Sequence, residues 1–300
     1  MRKRTLLNLA LLLAVVGVAV LLAAHVGRKT TPPPLPLSTI APGRVRSFRF
    51  RIAHGLWYVF RKVHGRWWQT RPVRVRGNAP MIQSLLDGLH EPVARRYPMA
   101  RVKIARLGLT PPALTLVVGR TRFAFGATDP VGSYRYIETG GTVDLVHDSL
   151  AYRLVGGDER YLSTRLLGPQ ARHRLTAIVL HNFRVVRGVH GRWRILPARP
   201  ISERRLRRFV EQWTYASALG VAPAGRFTIE GRAELLFRGL PPRRYDVVAD
   251  PLGFALVRPR LGLRWQFPQM SRKRLFRLPP PRPRRAAGAR QPRASRTPGS

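Results

Sequence analysis

The sequence predicts an α+β fold: an N-terminal membrane-spanning helix, then two tandem copies of a mainly antiparallel sheet module with two helices each. Three observations predict it. Residues 6–26 form one uncharged apolar run. The segment WYVFRKVHGRWWQTRP from Trp57 recurs as FRVVRGVHGRWRILPARP from Phe183. Between glycine-rich turns, short aromatic and β-branched runs alternate at the two-residue period of half-buried strands.

The apolar run, LLNLALLLAVVGVAVLLAAHV, carries only Asn8 and His25 as strongly polar residues. As a helix it spans roughly 31 Å, the thickness of a bilayer core. Arg2, Lys3 and Arg4 lie in the leader, residues 1–5, and the positive-inside tendency keeps that leader in the cytoplasm. The expected location is the bacterial inner membrane, single-pass, with the C-terminal body in the periplasm. A cleaved signal peptide is the alternative, with Ala19, Ala23 and Ala24 as small residues near a cut. The length of the run favours a retained signal-anchor.

Lysine and arginine number 55 against 14 acids, a net charge of +41 that implies polyanionic surroundings or an arginine-biased genome. Cysteine is absent, which excludes disulfides, thiolate metal sites and a lipidated cysteine. The apolar fraction, 44%, is sufficient for ordinary cores.

After the anchor, residues 27–44 are a proline-rich spacer, and residues 279–300 a basic tail without an apolar run, expected to be disordered. Between them the first module covers residues 45–168 and the second 174–278. A further match supports the duplication: GATDPVGSYRYIETGGTVDLVHDSLAYRL from Gly126 aligns with VVADPLGFALVRPRLGLRWQFPQMSRKRL from Val247, placing Asp129-Pro130 over Asp250-Pro251 and Gly132 over Gly253.

Within the first module, RSFRFRI, LWYVFRKV and RWWQTRPV read as strands, with His64-Gly65 as a tight hairpin turn. Asn78 is placed to cap a helix to about Leu89, with Met81, Leu85, Leu86 and Leu89 on one face. Its counterpart follows Ser202, with Leu206, Phe209, Val210 and Trp213. LTLVV, TRFAFG, SYRYIE and TVDLVH give four more strands, followed by a helix from about Asp148 with Leu150, Leu154 and later Leu162 apolar.

Several of these stretches together resemble a family of bacterial membrane-anchored proteins built around an uncharacterised periplasmic domain. They are the anchor, the hairpin HGRWWQTRPVRV before a helix, ARRYP, LGLTPPALTL and FAFGATDPVGSYRYI. The resemblance covers most of the first copy and, more weakly, the second. Some members are described as auxiliary components of gliding-motility-type ABC transporters, so it implies a periplasmic domain of unknown function beside a transporter. Where such proteins often carry an acid before the hairpin glycine, this chain has His64 and His190. The family brings no catalytic residues.

The inventory of reactive groups is thin. No GxSxG, P-loop, GxGxxG, HExxH or SxxK occurs, so no catalytic, cofactor or metal residue is assigned. His54, His64, His90, His147, His173, His181 and His190 form no i, i+4 pair on one predicted helix, and read as turn, surface or core residues. Asp129 and Asp250 read as turn starters before proline, the competing reading being a paired ligand site. Asp144, Asp148, Asp158 and Glu159 are expected to face solvent or to pair with Arg153 and Arg160. Among the aromatics Trp57, Tyr58, Trp67, Trp68, Trp193 and Trp213, one face is expected to form the core between sheet and helix, with the arginines outside. Trp67 and Trp193 are expected to share one structural role.

The leading functional expectation is a non-enzymatic auxiliary or scaffold component of a transporter-type membrane complex, with membrane proteins as partners and no cofactor. The alternative is binding of anionic lipids or envelope polymers. Arg282, Arg284, Arg285, Arg290 and Arg293 of the tail, with Arg296 and the juxtamembrane Arg28 and Lys29, are its candidate anion-binding residues. Nucleic acid would require the body to be cytoplasmic. A third reading, an enzyme on an envelope substrate, requires a pocket that gathers His147, Asp144 and a serine or tyrosine.

Overall fold

The computed structural model describes residues 12–21 and 35–279. Residues 12–21 are helical, with Leu12, Leu13, Val15 and Val16 exposed. The rest of the predicted span, residues 6–11 and 22–26, lies outside the described residues, as do the leader, residues 27–34 of the spacer and residues 280–300 of the tail. Among the described residues no helix is long and apolar enough to cross a membrane.

From residue 35 the chain is α+β, with two antiparallel sheets and few helices. Strands β1 (Ser47–Ile52), β2 (Tyr58–Val63), β3 (Arg66–Arg71) and the short β4 (Val75–Arg76) precede helix α1 (Ala79–Asp87). Strand β5 (Val93–Pro98) then leads to a meander of β6 (Leu114–Val118), β7 (Thr121–Thr128), β8 (Tyr134–Thr139) and β9 (Thr142–His147), closed by α2 (Ser149–Val155). After α3 (Pro169–Arg174) come β10 (Leu175–Leu180), β11 (Arg184–Arg187), β12 (Trp193–Leu196) and α4 (Glu203–Thr214). Strand β13 (Gly220–Pro223) follows, then a second meander of β14 (Ile229–Phe237), β15 (Leu240–Asp250), β16 (Gly253–Arg258) and β17 (Leu263–Pro268), closed by α5 (Gln269–Phe276).

One compact unit comprises, among the described residues, 12–21, 35–45 and Leu85–Arg153; its strands lie in the order β6-β7-β8-β9-β5. The other comprises, among the described residues, Arg46–Ser84 and 154–279; it holds the run β4-β3-β2-β1 and an eight-stranded sheet in the order β12-β11-β10-β14-β15-β16-β17-β13. The order β3-β2-β1 thus recurs as β12-β11-β10, and β6-β7-β8-β9-β5 recurs as β14-β15-β16-β17-β13.

In the first unit, cross-strand pairs such as Leu114 with Phe125 and Leu116 with Phe123 are buried, the alternation expected of a sheet covered on one face. Helix α1, whose residues to Ser84 belong to the second unit, buries Ile82, Leu85 and Leu86, while Met81, predicted for the same face, is 42% exposed. The helix turns a few tens of degrees from the predicted phase, so Ile82 takes the inward position.

In the second unit, Phe48, Phe50 and Phe60 pack on Tyr161, whose ring meets all three edge-on at 5.9–6.4 Å between centroids. Helix α4 is amphipathic as predicted and buries Leu206, Phe209, Val210 and Trp213. The Trp213 indole N–H donates to the Leu275 carbonyl at 2.7 Å, which satisfies its one polar atom inside the core.

The turn between β2 and β3 holds His64 at φ 48° and Gly65 at φ 73°, the two left-handed residues that a two-residue hairpin of matching twist requires. The same VHGRW string does not fold the same way again. There the Gly188 N–H donates to the Arg192 carbonyl and Arg187 pairs with Trp193, so residues 188–192 make a wider loop. Trp67 consequently pairs with Lys62 and is 6% exposed, whereas Trp193 opens β12 half-buried. The shared role expected for the two tryptophans is therefore not observed.

Candidate functional site: an arginine and tryptophan face

Strands β1 to β3 alternate strictly. Phe48, Phe50, Phe60 and Trp67 point inward, so Arg49, Arg51, Arg61 and Trp68 take the outer face. Register brings the latter together: Arg49 stands opposite Val59 and Arg61 opposite Trp68. Trp57, just before β2, lies under two guanidinium groups, with the Cζ atoms of Arg49 and Arg51 at 4.8 and 4.9 Å from its ring centroid. Arg74 covers Trp68 in the same way at 5.6 Å. Each contact is worth about 0.5–1 kcal/mol at an exposed site.

Two features set this face apart from an ordinary solvated surface. No aspartate or glutamate precedes Asp87, so the strands carry cations with no counter-charge of their own. Arg51 Nε is also buried without an acceptor. Stacked guanidinium groups keep their N–H edges free, and those edges match the paired oxygens of phosphate, sulfate or carboxylate.

Of these aromatics, Trp67 and Trp213 are buried on the inner face expected to form core, while Trp57 and Trp68 lie half-buried on the outer face among the arginines. Trp67 and Trp68 are adjacent on a strand and must face opposite ways. That pair was the signal in the sequence that one tryptophan would lie outside.

The candidate tail arginines Arg282, Arg284, Arg285, Arg290 and Arg293 lie outside the described residues, as do Arg28, Lys29 and Arg296. The histidines at 54, 64, 90, 147, 173, 181 and 190 are all exposed. Among the described residues no group of three or more His, Asp or Glu side chains is placed to hold a metal ion. His147 packs its ring edge-on to Tyr134 at 6.0 Å, while Asp144 is fully buried on Arg96, so the two do not converge.

The acids act locally. Asp250 accepts the Leu252 N–H at 3.1 Å, the aspartate turn predicted before proline, and both of its oxygens accept from the Gln266 amide. At the matching position Asp129 instead accepts the Tyr136 hydroxyl at 3.0 Å. Asp144 and Asp148 pair with Arg96 and Arg135, not with the sequence neighbours expected for them, because facing strands and turns bring these arginines closer.

Asp158 is 4% exposed, and burial, then the charge of Glu159, pushes its carboxyl up to about 6. The Gln69 amide lies close enough to favour the carboxylate, yet no hydrogen bond of ordinary geometry joins them. A carboxyl whose pKa rises on folding penalises the native state as it ionises. The penalty is absent below pH 3.8 and complete above about 6. Asp158→Asn is therefore expected to raise stability at pH 7.5 by about 1–2 kcal/mol, discounting for partial solvation, and to change nothing at pH 3.5. Urea unfolding at the two pH values checks this, and an equal effect at both rejects the buried-charge account.

Compared with protein-family models, curated proteins and solved structures, the chain matches none.

Proposed function

We propose that this chain is a membrane-tethered, non-enzymatic binding protein whose duplicated α+β module docks on polyanions through the outer face of β1 to β3. The observation that carries the reading is Trp57 beneath Arg49 and Arg51, on strands without a single acid. The aromatic plane fixes two flexible cations in a shared orientation, which lowers the entropy lost when an anion is bound. Anionic envelope polymers and lipid head groups both present the repeated oxyanions that such a face fits.

Duplication is supported by the matched sequence strings and by the recurring strand order. The tether rests on the uncharged residues 6–26 and the basic leader, which would place the body in the periplasm. A second reading, an auxiliary component of a transporter-type complex, is favoured by the same duplication, since two like modules offer two like protein-binding surfaces.

The test compares the full chain with the variant Arg49→Gln/Arg51→Gln/Trp57→Ala, both in detergent micelles, for binding to a fluorescent sulfated polysaccharide and to vesicles containing phosphatidylglycerol. Loss of two charged contacts and their platform is expected to weaken binding about 10- to 30-fold. Unchanged affinity for both ligands would sink the reading.

A further inference from the structure

At the β4 edge of the same sheet face, a second group of arginines gathers within the same compact unit. Arg76 ends β4, opposite Trp68. Its Nη1 stands 2.6 Å from where a Cβ on residue 168 would lie, so that Gly168 leaves room for the guanidinium. Around it are Arg66, Arg165 and Arg172, whose charges, after burial, hold Arg76 below the usual arginine range. Among the described residues, no ion pair joins any of the four to an acid.

The backbone holds this arrangement in place. The Ser163 N–H donates to the Arg76 carbonyl at 2.8 Å, and Arg165 bridges to Ser217. Arg172 donates from Nε to the Leu167 carbonyl at 3.2 Å and sets its guanidinium over the Tyr215 ring at 4.7 Å. Tyr215 and Ser217 in turn line a shallow cavity of about 220 Å³, with Gln212, Ser271 and Arg274 among its other walls. Gln212 Oε1 is buried there without a donor. Four unneutralised guanidinium groups repel one another, and a bound dianion removes that repulsion while matching their paired N–H edges.

We propose that Arg76, Arg165 and Arg172, with Arg66 at the edge, form a discrete site for a phosphate group, the cavity of Ser217 and Gln212 taking the small polar part attached to it. Arg66 and Arg76 share the outer face of β3 and β4 with Trp68, whereas Arg165 and Arg172 come from the segment beside β4. The site suits a phosphate monoester, from a soluble metabolite or an exposed lipid head group. A long polymer needs a continuous surface, which a cavity of this size does not offer.

Calorimetric titration of the full chain in micelles, at fixed ionic strength, tests this with inorganic phosphate, glycerol phosphate and chloride as probes, and with phosphatidic acid vesicles as a separate arm. Phosphate or glycerol phosphate is expected to bind with at least tenfold preference over chloride. Arg76→Gln and Arg172→Gln should each weaken that binding at least tenfold, and Arg172→Gln, which lies off the sheet, should leave sulfated-polysaccharide binding within twofold. Without phosphate, the Tm of Arg76→Gln should stay unchanged or rise, because like-charge repulsion is relieved; an arginine with a purely structural role would lower it. Binding to free phosphate points to a soluble ligand, and binding to phosphatidic acid vesicles alone points to a head group. An equal response to chloride, no response in any arm, or variants that bind phosphate like the parent would overturn the proposal.

Discussion

Arg96→Ala is expected to destabilise the fold by about 3–5 kcal/mol, more than removal of its partner. Arg96 on β5 stands directly opposite Asp144 on β9, and its Nε and Nη2 donate to the two carboxylate oxygens at 2.7 and 2.9 Å. The two sides are not equally placed: the Arg96 side chain is 37% exposed and the Asp144 side chain 0%. Truncating the arginine leaves a carboxylate in the core with no counter-charge. Truncating the aspartate leaves a guanidinium that water reaches, so Asp144→Ala should cost about half as much or less. Urea unfolding of the two single variants checks the asymmetry. Equal costs for the two variants would show that the pair acts as an ordinary surface bridge.

The second large effect is expected at Gly253, the first residue of β16. It sits at φ 137°, and a Cβ there would come within 2.4 Å of the Gln269 nitrogen and 2.8 Å of the Phe267 carbonyl oxygen. Both obstacles are backbone, so nothing flexible can yield. Gly253→Ala is expected to cost about 3 kcal/mol or more, combining conformational strain with overpacking. Gly132 occupies the matching place in the sequence at φ 100°, but a Cβ there meets only the Tyr134 ring at 3.2 Å, which can swing aside. Gly132→Ala should cost about 1–2 kcal/mol. Thermal unfolding of the two variants separates them, and equal losses would mean that strain alone, not the close backbone, governs Gly253.

Much of this architecture is legible in the sequence because it rests on local period. Phe48, Phe50 and Phe60 alternate with Arg49, Arg51 and Arg61, and that pattern specifies strands and their inner face together. Helix α4 follows from Leu206, Phe209, Val210 and Trp213 for the same reason. Strand β5 is not legible as a strand, since its sequence VARRYP has adjacent arginines at an edge, where exposure relaxes the alternation. Strand β13 is four residues of Gly-Val-Ala-Pro, with too little side chain to signal. The Arg96 partner of Asp144 lies 48 residues away, and no local pattern encodes so distant a pairing. The Arg76 cluster is equally hidden, because it depends on residues 163–172 returning beside β4.

The claim that the Arg49, Arg51 and Trp57 face binds polyanions is tested most directly by the salt dependence of binding. The full chain in micelles would be titrated with a linear sulfated polysaccharide at several salt concentrations. With three to four guanidinium contacts from Arg49, Arg51, Arg61 and Arg74, the logarithm of affinity should fall linearly with the logarithm of salt, at a slope of about −2 to −3. In Arg49→Gln/Arg51→Gln/Trp57→Ala the slope should become shallower by about 1–2, as two counterion-releasing contacts are lost. Parent and variant lines of the same slope would contradict the account, because the charge that binds would then lie elsewhere on the chain.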